Sequence, residues 1–465
     1  MLKLFYTFFL LITITLLGSC GSNLESNTTF FGGKIINPKT KYVVLFSMDK
    51  VIDTLILDKD NKFLGKYSTL NEGLYYFKHG NENQYIYLEP KDSLMLRLNT
   101  WDFDESLVYA GKGAERNNIL IDIFIENENK RSLYYSFNKL KPEVYQNKMD
   151  SIINDRMLTF KDYADKHPNE TQNYFNILKT ALTYPIYSRI ERYSINHINL
   201  HNKENHVAIN NDAFYKYRKN IRYNNDSLMY YTPYTRYIRN YLYNLTYALG
   251  HKPMNGAYSE DFTVDLLKTI DKEIHAENSK NAFLKRTVLD HFYRKSSCNI
   301  NANTFQTFFK LSSNKNDKLL IEKLVKDNSV IHKGDQIKGF NISDFTDKAI
   351  NIQDFTLNKN SVLIFWNKKY FSESFLSSRL PYLIASFPDL NFAIIEIDGS
   401  SDNRIQKVDI KNQYYINTTA LKENFLKSKM PRTILVNKNG IIENGYASLS
   451  SKNFFNQLKN FNKNN

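Results

Sequence analysis

The sequence predicts a multidomain α+β chain, and three observations carry that prediction. Its 465 residues exceed one domain at roughly 150 residues each. Hydrophobic residues make up 42% and charged residues 24%, a globular balance that excludes a disordered tail, a fibrous repeat and a disulfide scaffold. Along the chain, closely spaced short strands give way to helical periodicity and then to alternating strands and helices. The expected order is an N-terminal antiparallel β-sandwich, a central α-helical region and a C-terminal α/β domain.

Met1 to Cys20 reads as a secretion signal. Lys3 supplies a minimal positive start, and Leu4 to Leu17 is uncharged and mostly apolar, too short to span a bilayer comfortably. It ends in Leu17-Gly18-Ser19-Cys20, which resembles the bacterial lipoprotein lipobox at all four positions. That resemblance implies removal of residues 1–19 and acylation of Cys20, palmitate chains included, which anchors a protein to a membrane without spanning it. Residue 21 is Gly and not Asp, so the enterobacterial inner-membrane retention signal is absent and outer-membrane delivery is expected. Residues 20–29 are polar and read as a tether.

The segment 30–110 is strand after strand. Lys41 to Ser47, Gly73 to Phe77, Gln84 to Leu88 and Leu94 to Leu98 are short and apolar or aromatic, with turns such as Lys59-Asp60-Asn61 between them. Gly111-Lys112-Gly113 ends this region as a turn, because no second half of a dinucleotide fingerprint follows. From 111 to 333 the spacing is helical, notably in Leu140–Tyr163, Gln172–Ile195, Pro233–Leu249 and Phe262–His275.

The helical region carries two Tyr/Arg clusters: Tyr215, Tyr217, Arg218, Arg222 and Tyr223, then Tyr234, Arg236, Tyr237, Arg239 and Tyr241. Such interleaving can stack on sugars or neutralise phosphates, but Tyr packed between helices with Arg on the outer face is the expected arrangement. The net charge of +14 points the same two ways; abundant Asn, Ile, Tyr and Lys are the residues that AT-rich coding favours, and nucleic acid is not an expected partner of a secreted lipoprotein. His197, His201 and His206 lie close in sequence without an HExxH glutamate, so surface histidines are expected and no metal or other cofactor. Cys298, the second of two cysteines, is remote from any motif. Four Asp-Ser/Thr-apolar triplets, at Thr54, Ser93, Ser151 and Ser227, resemble the O-glycosylation sequon of extracytoplasmic Bacteroidota proteins and, if used, mark exposed loops.

From 334 to 465 the pattern is strand Ser361–Trp366, helix Glu373–Phe387, strand Leu390–Ile397, strand Pro431–Val436, an Asn439-Gly440 hairpin and a final helix. Phe365-Trp366, Met430-Pro431 and Asn439-Gly440 resemble the thioredoxin-like domain of TlpA/ResA-type thiol–disulfide oxidoreductases, and the preceding regions resemble their Bacteroidota lipoprotein relatives. The resemblance implies a cis bond before Pro431, whose neighbouring backbone would pair with a bound substrate segment. It also places a thiol pair at Tyr370 and Glu373 or, matching Pro381 to the helix-kink proline, at Glu373 and Leu376. None of these is cysteine. Disulfide exchange needs an attacking thiolate and a resolving thiol, so the chemistry is lost; a cap by Ser372 and Glu373 suffices to explain those residues, and no residue is assigned a catalytic role.

The expectation is thus a non-catalytic outer-membrane lipoprotein whose degenerate thioredoxin-like domain binds another cell-envelope protein or peptide. The alternatives are a thiol–disulfide oxidoreductase and a glycan- or lipopolysaccharide-binding lipoprotein that uses the Tyr/Arg face.

Overall fold

The computed structural model describes residues 27–48, 50–201, 213–252, 259–297, 300, 302–400, 412–416 and 426–463. The signal peptide, Cys20, His206 and Cys298 lie outside the described residues. The chain forms two compact units: residues 1–190 with 227–237, and residues 191–226 with 238–465. The helical region 111–333 is therefore not a body of its own but is divided between them.

The first unit begins with β1 (Thr29–Ile36), β2 (Tyr42–Ser47), β3 (Lys50–Ile56), β4 (Lys62–Tyr67), β5 (Gly73–His79), β6 (Glu82–Leu88), β7 (Ser93–Asn99) and β8 (Val108–Ala110). They form two four-stranded sheets, ordered β4-β1-β7-β8 and β3-β2-β5-β6. Alternate residues such as Phe31, Ile35, Val43, Leu45, Phe77 and Leu96 share one core, as a period of two requires. The expected antiparallel sandwich needs one correction: β1 and β7 are parallel, with Phe30 opposite Ser93. The whole second sheet intervenes in sequence between them, which gives the chain the long crossover that a parallel pair needs; local strand patterns carry no sign of it. Gly111 and Gly113 turn the chain out of β8 with φ of 88° and 92°, and a Cβ on Gly111 would lie 2.0 Å from the Ser93 carbonyl oxygen, so only glycine fits.

The helices α1 (Ala114–Asn129), α2 (Arg131–Ser136), α3 (Pro142–Lys166) and α4 (Gln172–Leu200) follow, and the unit boundary falls within α4. Arg116 of α1 is buried with Asp92, its Nη2 2.6 Å from Oδ1, and also pairs with Glu89 and Glu170. This ion network ties the β6–β7 turn to the helices.

The second unit contains α5 beyond Tyr237 (helix Thr232–Tyr247), α6 (Glu260–Glu273), α7 (Glu277–Lys295), α8 (Ala302–Leu311) and α9 (Lys315–Asn328). It continues with β9 (Asn341–Ser343), β10 (Ala349–Asn351), α10 (Ile352–Thr356), β11 (Ser361–Trp366), α11 (Glu373–Ser386), β12 (Asn391–Ile397), β13 (Gln413–Ile416), β14 (Arg432–Val436), β15 (Ile442–Ala447) and α12 (Phe454–Lys463). The seven strands run in the order β10-β9-β13-β12-β11-β14-β15. β11 is parallel to β12 and antiparallel to β14, which pairs antiparallel with β15. This β-α-β then β-β-α order is the thioredoxin-like arrangement. All six residues of β11 are buried, as a central strand covered on both faces demands. Val362, Ile364 and Trp366 pack under α11 and α12, while Leu363 and Phe365 face the layer that contains Ile331, Ile337 and Ile352. No helix among the described residues is long and apolar enough to cross a membrane.

Candidate functional site

The site is the end of β11, where a chain of this fold turns from strand into helix. Asn367 shapes the turn: its Nδ2 donates to the Ile397 carbonyl at 2.7 Å and its Oδ1 accepts from the Lys369 amide at 3.0 Å. Ser372 is the N-cap of α11, its hydroxyl accepting from the Phe375 amide at 3.2 Å. Glu373 opens the helix in solvent, 3.5 Å from Lys368 Nζ; a carboxylate there suits the N-terminal end of the dipole. Pro381 lies inside α11, and Leu376 is fully buried in the core beneath it. Tyr370 is in the preceding turn, its phenol pKa raised by burial and partly offset by Lys285 and Lys429. Neither register supplies sulfur.

Beneath this turn, Glu396 stands opposite Trp366 in the β11–β12 register. It is buried, its Oε2 has no hydrogen-bond partner among the described residues, and burial raises its pKa, offset by Lys368 and reinforced by Glu373. A carboxyl in that state can exchange a proton but cannot attack a disulfide.

The loop into β14 departs from expectation. No cis peptide bond occurs among the described residues, so the Met430–Pro431 bond is trans, and both residues are buried. The cause is the chain itself. The Tyr446 hydroxyl donates to the Pro431 carbonyl at 3.3 Å, and the Tyr293 hydroxyl of α7 sits 4.0 Å from Met430 Sδ. Phe292, next to it, meets the Tyr446 ring edge-on at 4.1 Å. The C-terminal end of α7 is fixed in place: buried Ser296, at φ 52°, accepts from Asn444 Nδ2 (3.1 Å), Gln457 Nε2 (2.9 Å) and the Ser448 amide (2.7 Å). With the loop bound by its own neighbours, the ordinary preference of about 0.5–1 kcal/mol for a trans X–Pro bond is unopposed. Pro431→Ala therefore requires no isomer change. Thermal unfolding should show a loss of only about 1–2 kcal/mol from ring packing and added chain freedom.

Arg432 anchors the same loop. It is 2% exposed, lies 4.9 Å over the Tyr446 ring and has Nη2 3.9 Å from Asp327 Oδ2 of α9. Asp327, 1% exposed, also accepts from the amides of Lys427 and Ser428. Tyr293, Asp327, Arg432 and Glu396 escaped sequence reasoning. A signal existed for two of them: an arginine heading the run Arg432–Val436 and a glutamate inside Asn391–Ile397 interrupt buried strands, and buried charges need partners or neutralisation.

The remaining candidates resolve as structure. Tyr234 and Tyr237 are fully buried and pack on Tyr184. Tyr217 and Arg218 both bind Glu191, which is 1% exposed. The tyrosines of the clusters are thus buried or half-buried between helices, and Arg222 and Arg236 stay exposed on the outer face. His197 and His201 lie with rings 4.2 Å apart on α4; no group of three or more metal-ligating side chains occurs among the described residues. Three of the sequon residues do not mark loops: Thr54 is on strand β3, Ser151 is within α3 and Ser93 starts β7 beside buried Asp92, whereas Ser227 is exposed in a short 3-10 turn (Asp226–Leu228).

No family model and no curated protein matches the chain. Among solved structures, it is similar to a thioredoxin-like protein from Bacteroides caccae, at 11% identity over 60% of this chain and 93% of that one, with a TM-score of 0.29. The thioredoxin domain of a thiol-disulfide oxidoreductase from Bacteroides vulgatus matches at 18% identity, over 28% and 98% of the two chains, TM-score 0.22. A thiol peroxidase from Chromobacterium violaceum matches at 14% identity, over 29% and 86%, TM-score 0.23. At these scores the thioredoxin-like description of the C-terminal unit rests on its own strand order.

Proposed function

We propose that this chain is a non-catalytic, lipid-anchored outer-membrane protein whose thioredoxin-like domain binds another cell-envelope protein and performs no disulfide exchange. The observation that supports it is the turn at the head of α11, where Tyr370, Glu373 and Leu376 occupy the positions in which exchange requires thiols. Because Tyr293, Met430 and Tyr446 close the loop beside it, a partner takes another surface, and the oxidoreductase and glycan-binding alternatives gain no support.

Two experiments test this reading. Cys20→Ser should abolish palmitate labelling, since a hydroxyl forms no thioether, and should leave the protein with its signal uncleaved or outside the membrane fraction; unchanged labelling would remove the anchor from the proposal. Photo-crosslinkers placed on exposed positions of the second unit, such as Tyr382 (61% exposed), should capture one envelope protein reproducibly from intact cells. Capture of nothing beyond bulk membrane proteins would leave the partner claim without support.

A further inference from the structure

The first unit leaves apolar side chains in solvent at one hairpin. β2 and β3 close with Ser47 opposite Lys50, and around the tip Met48, Val51 and Ile52 are 48%, 57% and 45% exposed. β3 is a sheet edge, and the register shift against β2 leaves Ile52 as the extra residue between Val51 and Asp53, so neither Val51 nor Ile52 is covered by a neighbouring strand.

The location of this tip gives it meaning. β1 starts at Thr29, which pairs with Tyr67 at the end of β4. The Tyr67 hydroxyl donates to Asp53 of β3 at 3.1 Å. β3 runs from Lys50 to Ile56 and joins β4 at the far end, so the tip projects from the end of the sandwich at which the chain enters. Exposed Lys50, Lys66 and Lys112 share that end: Lys66 and Ser93 both stand opposite Phe30, and the Ser93 amide donates to the Lys112 carbonyl. Cys20 is nine positions before Thr29, a span of at most about 30 Å when extended.

We infer that the apolar side chains of the β2–β3 hairpin, Met48, Val51 and Ile52, rest in the headgroup boundary of the bilayer that holds Cys20. Exposed apolar side chains fit that boundary through partial burial, and Lys50, Lys66 and Lys112 at that end offset Asp49 and Asp53, which neighbour the tip residues in sequence. A second copy fits less well. Antiparallel self-pairing of β3 centred on Asp53 sets two carboxylates face to face, and the β-bulge in the β2–β3 pairing between Leu45 and Phe46 twists the edge.

The inference rests on the lipid-anchor reading, and its test separates the two. In vesicles of phosphatidylethanolamine and phosphatidylglycerol holding the lipidated protein, Val51→Trp should emit to the blue of the parent and be quenched by brominated acyl chains. Native Trp101, 73% exposed beside Asn99 at the opposite end, should escape quenching. Water-like emission from Val51→Trp, with the chain still in the vesicle fraction, overturns the inference and leaves the anchor standing. The mature chain carrying Cys20→Ser tests the tip without the anchor: substituting Met48, Val51 and Ile52 together by Asp should lower its vesicle sedimentation by about tenfold. Equal sedimentation, or a change only from dimer to monomer, contradicts a lipid contact.

Discussion

Arg116→Met is expected to destabilise the first unit by about 3–5 kcal/mol at neutral pH, the range for breaking a buried ion pair from one side. The guanidinium is 4% exposed, Asp92 is fully buried, and Glu89 and Glu170 complete the group. Without the cation, three carboxylates converge where water is scarce. The pH dependence follows from signs already present in the parent. Burial holds the Asp92 and Glu170 carboxyls above the usual carboxylate range even beside Arg116, whose charge works against that rise. A carboxyl raised in the folded state binds its proton more tightly there than in the unfolded chain, so stability rises as pH falls through the folded pKa and the gain is complete below the unfolded one. The variant, with the opposing charge removed, should be raised further and recover part of its loss on acidification from about pH 7 to about pH 5. Urea unfolding at both pH values measures this. An equal deficit at each would mean that the carboxylates do not respond to the missing guanidinium.

Asp327→Ala is the second large effect, again about 3–5 kcal/mol, and it falls on the second unit. The substitution removes the carboxylate that faces buried Arg432 and at the same time frees the Lys427 and Ser428 amides. Two consequences are separable. Thermal unfolding should shift downward, and hydrogen exchange at those two amides should accelerate well before global unfolding, because the loop loses its acceptor. Asp327→Asn keeps one acceptor oxygen and should show an intermediate loss. Unchanged exchange in Asp327→Ala would place the stability of the loop in its aromatic contacts with Tyr446 and Tyr293.

These positions also mark where sequence reasoning reached and where it stopped. The buried run Ser361–Trp366, the cap at Ser372 and the Asn439-Gly440 turn, with Gly440 at φ 77°, are local: period, cap and turn chemistry lie within a few residues. The parallel pairing of β1 with β7 joins residues more than 60 apart, and nothing in either strand encodes direction. The closed loop at Pro431 escaped for the same reason. Tyr293 lies 137 residues before Met430, and a helix that covers a distant loop of its own unit has the same apolar spacing as one that covers a neighbouring helix. The Tyr/Arg clusters show where spacing was enough. Their tyrosines pack inside as helix packing predicts, with Arg222 and Arg236 exposed, and the long-range partner of the first cluster, Glu191, 1% exposed between Tyr217 and Arg218, is what local spacing could not name.

The most direct measurement is disulfide-reductase turnover by the purified protein, with dithiothreitol as electron donor and insulin as substrate. Cys20 and Cys298 are the two cysteines of the chain; under the proposed acylation of Cys20, Cys298 is left as a single thiol with no intramolecular partner to resolve a mixed disulfide. The rate should equal that of dithiothreitol alone and should not change in Cys298→Ser. Turnover above that background, lost in Cys298→Ser, would contradict a thioredoxin-like domain without redox chemistry.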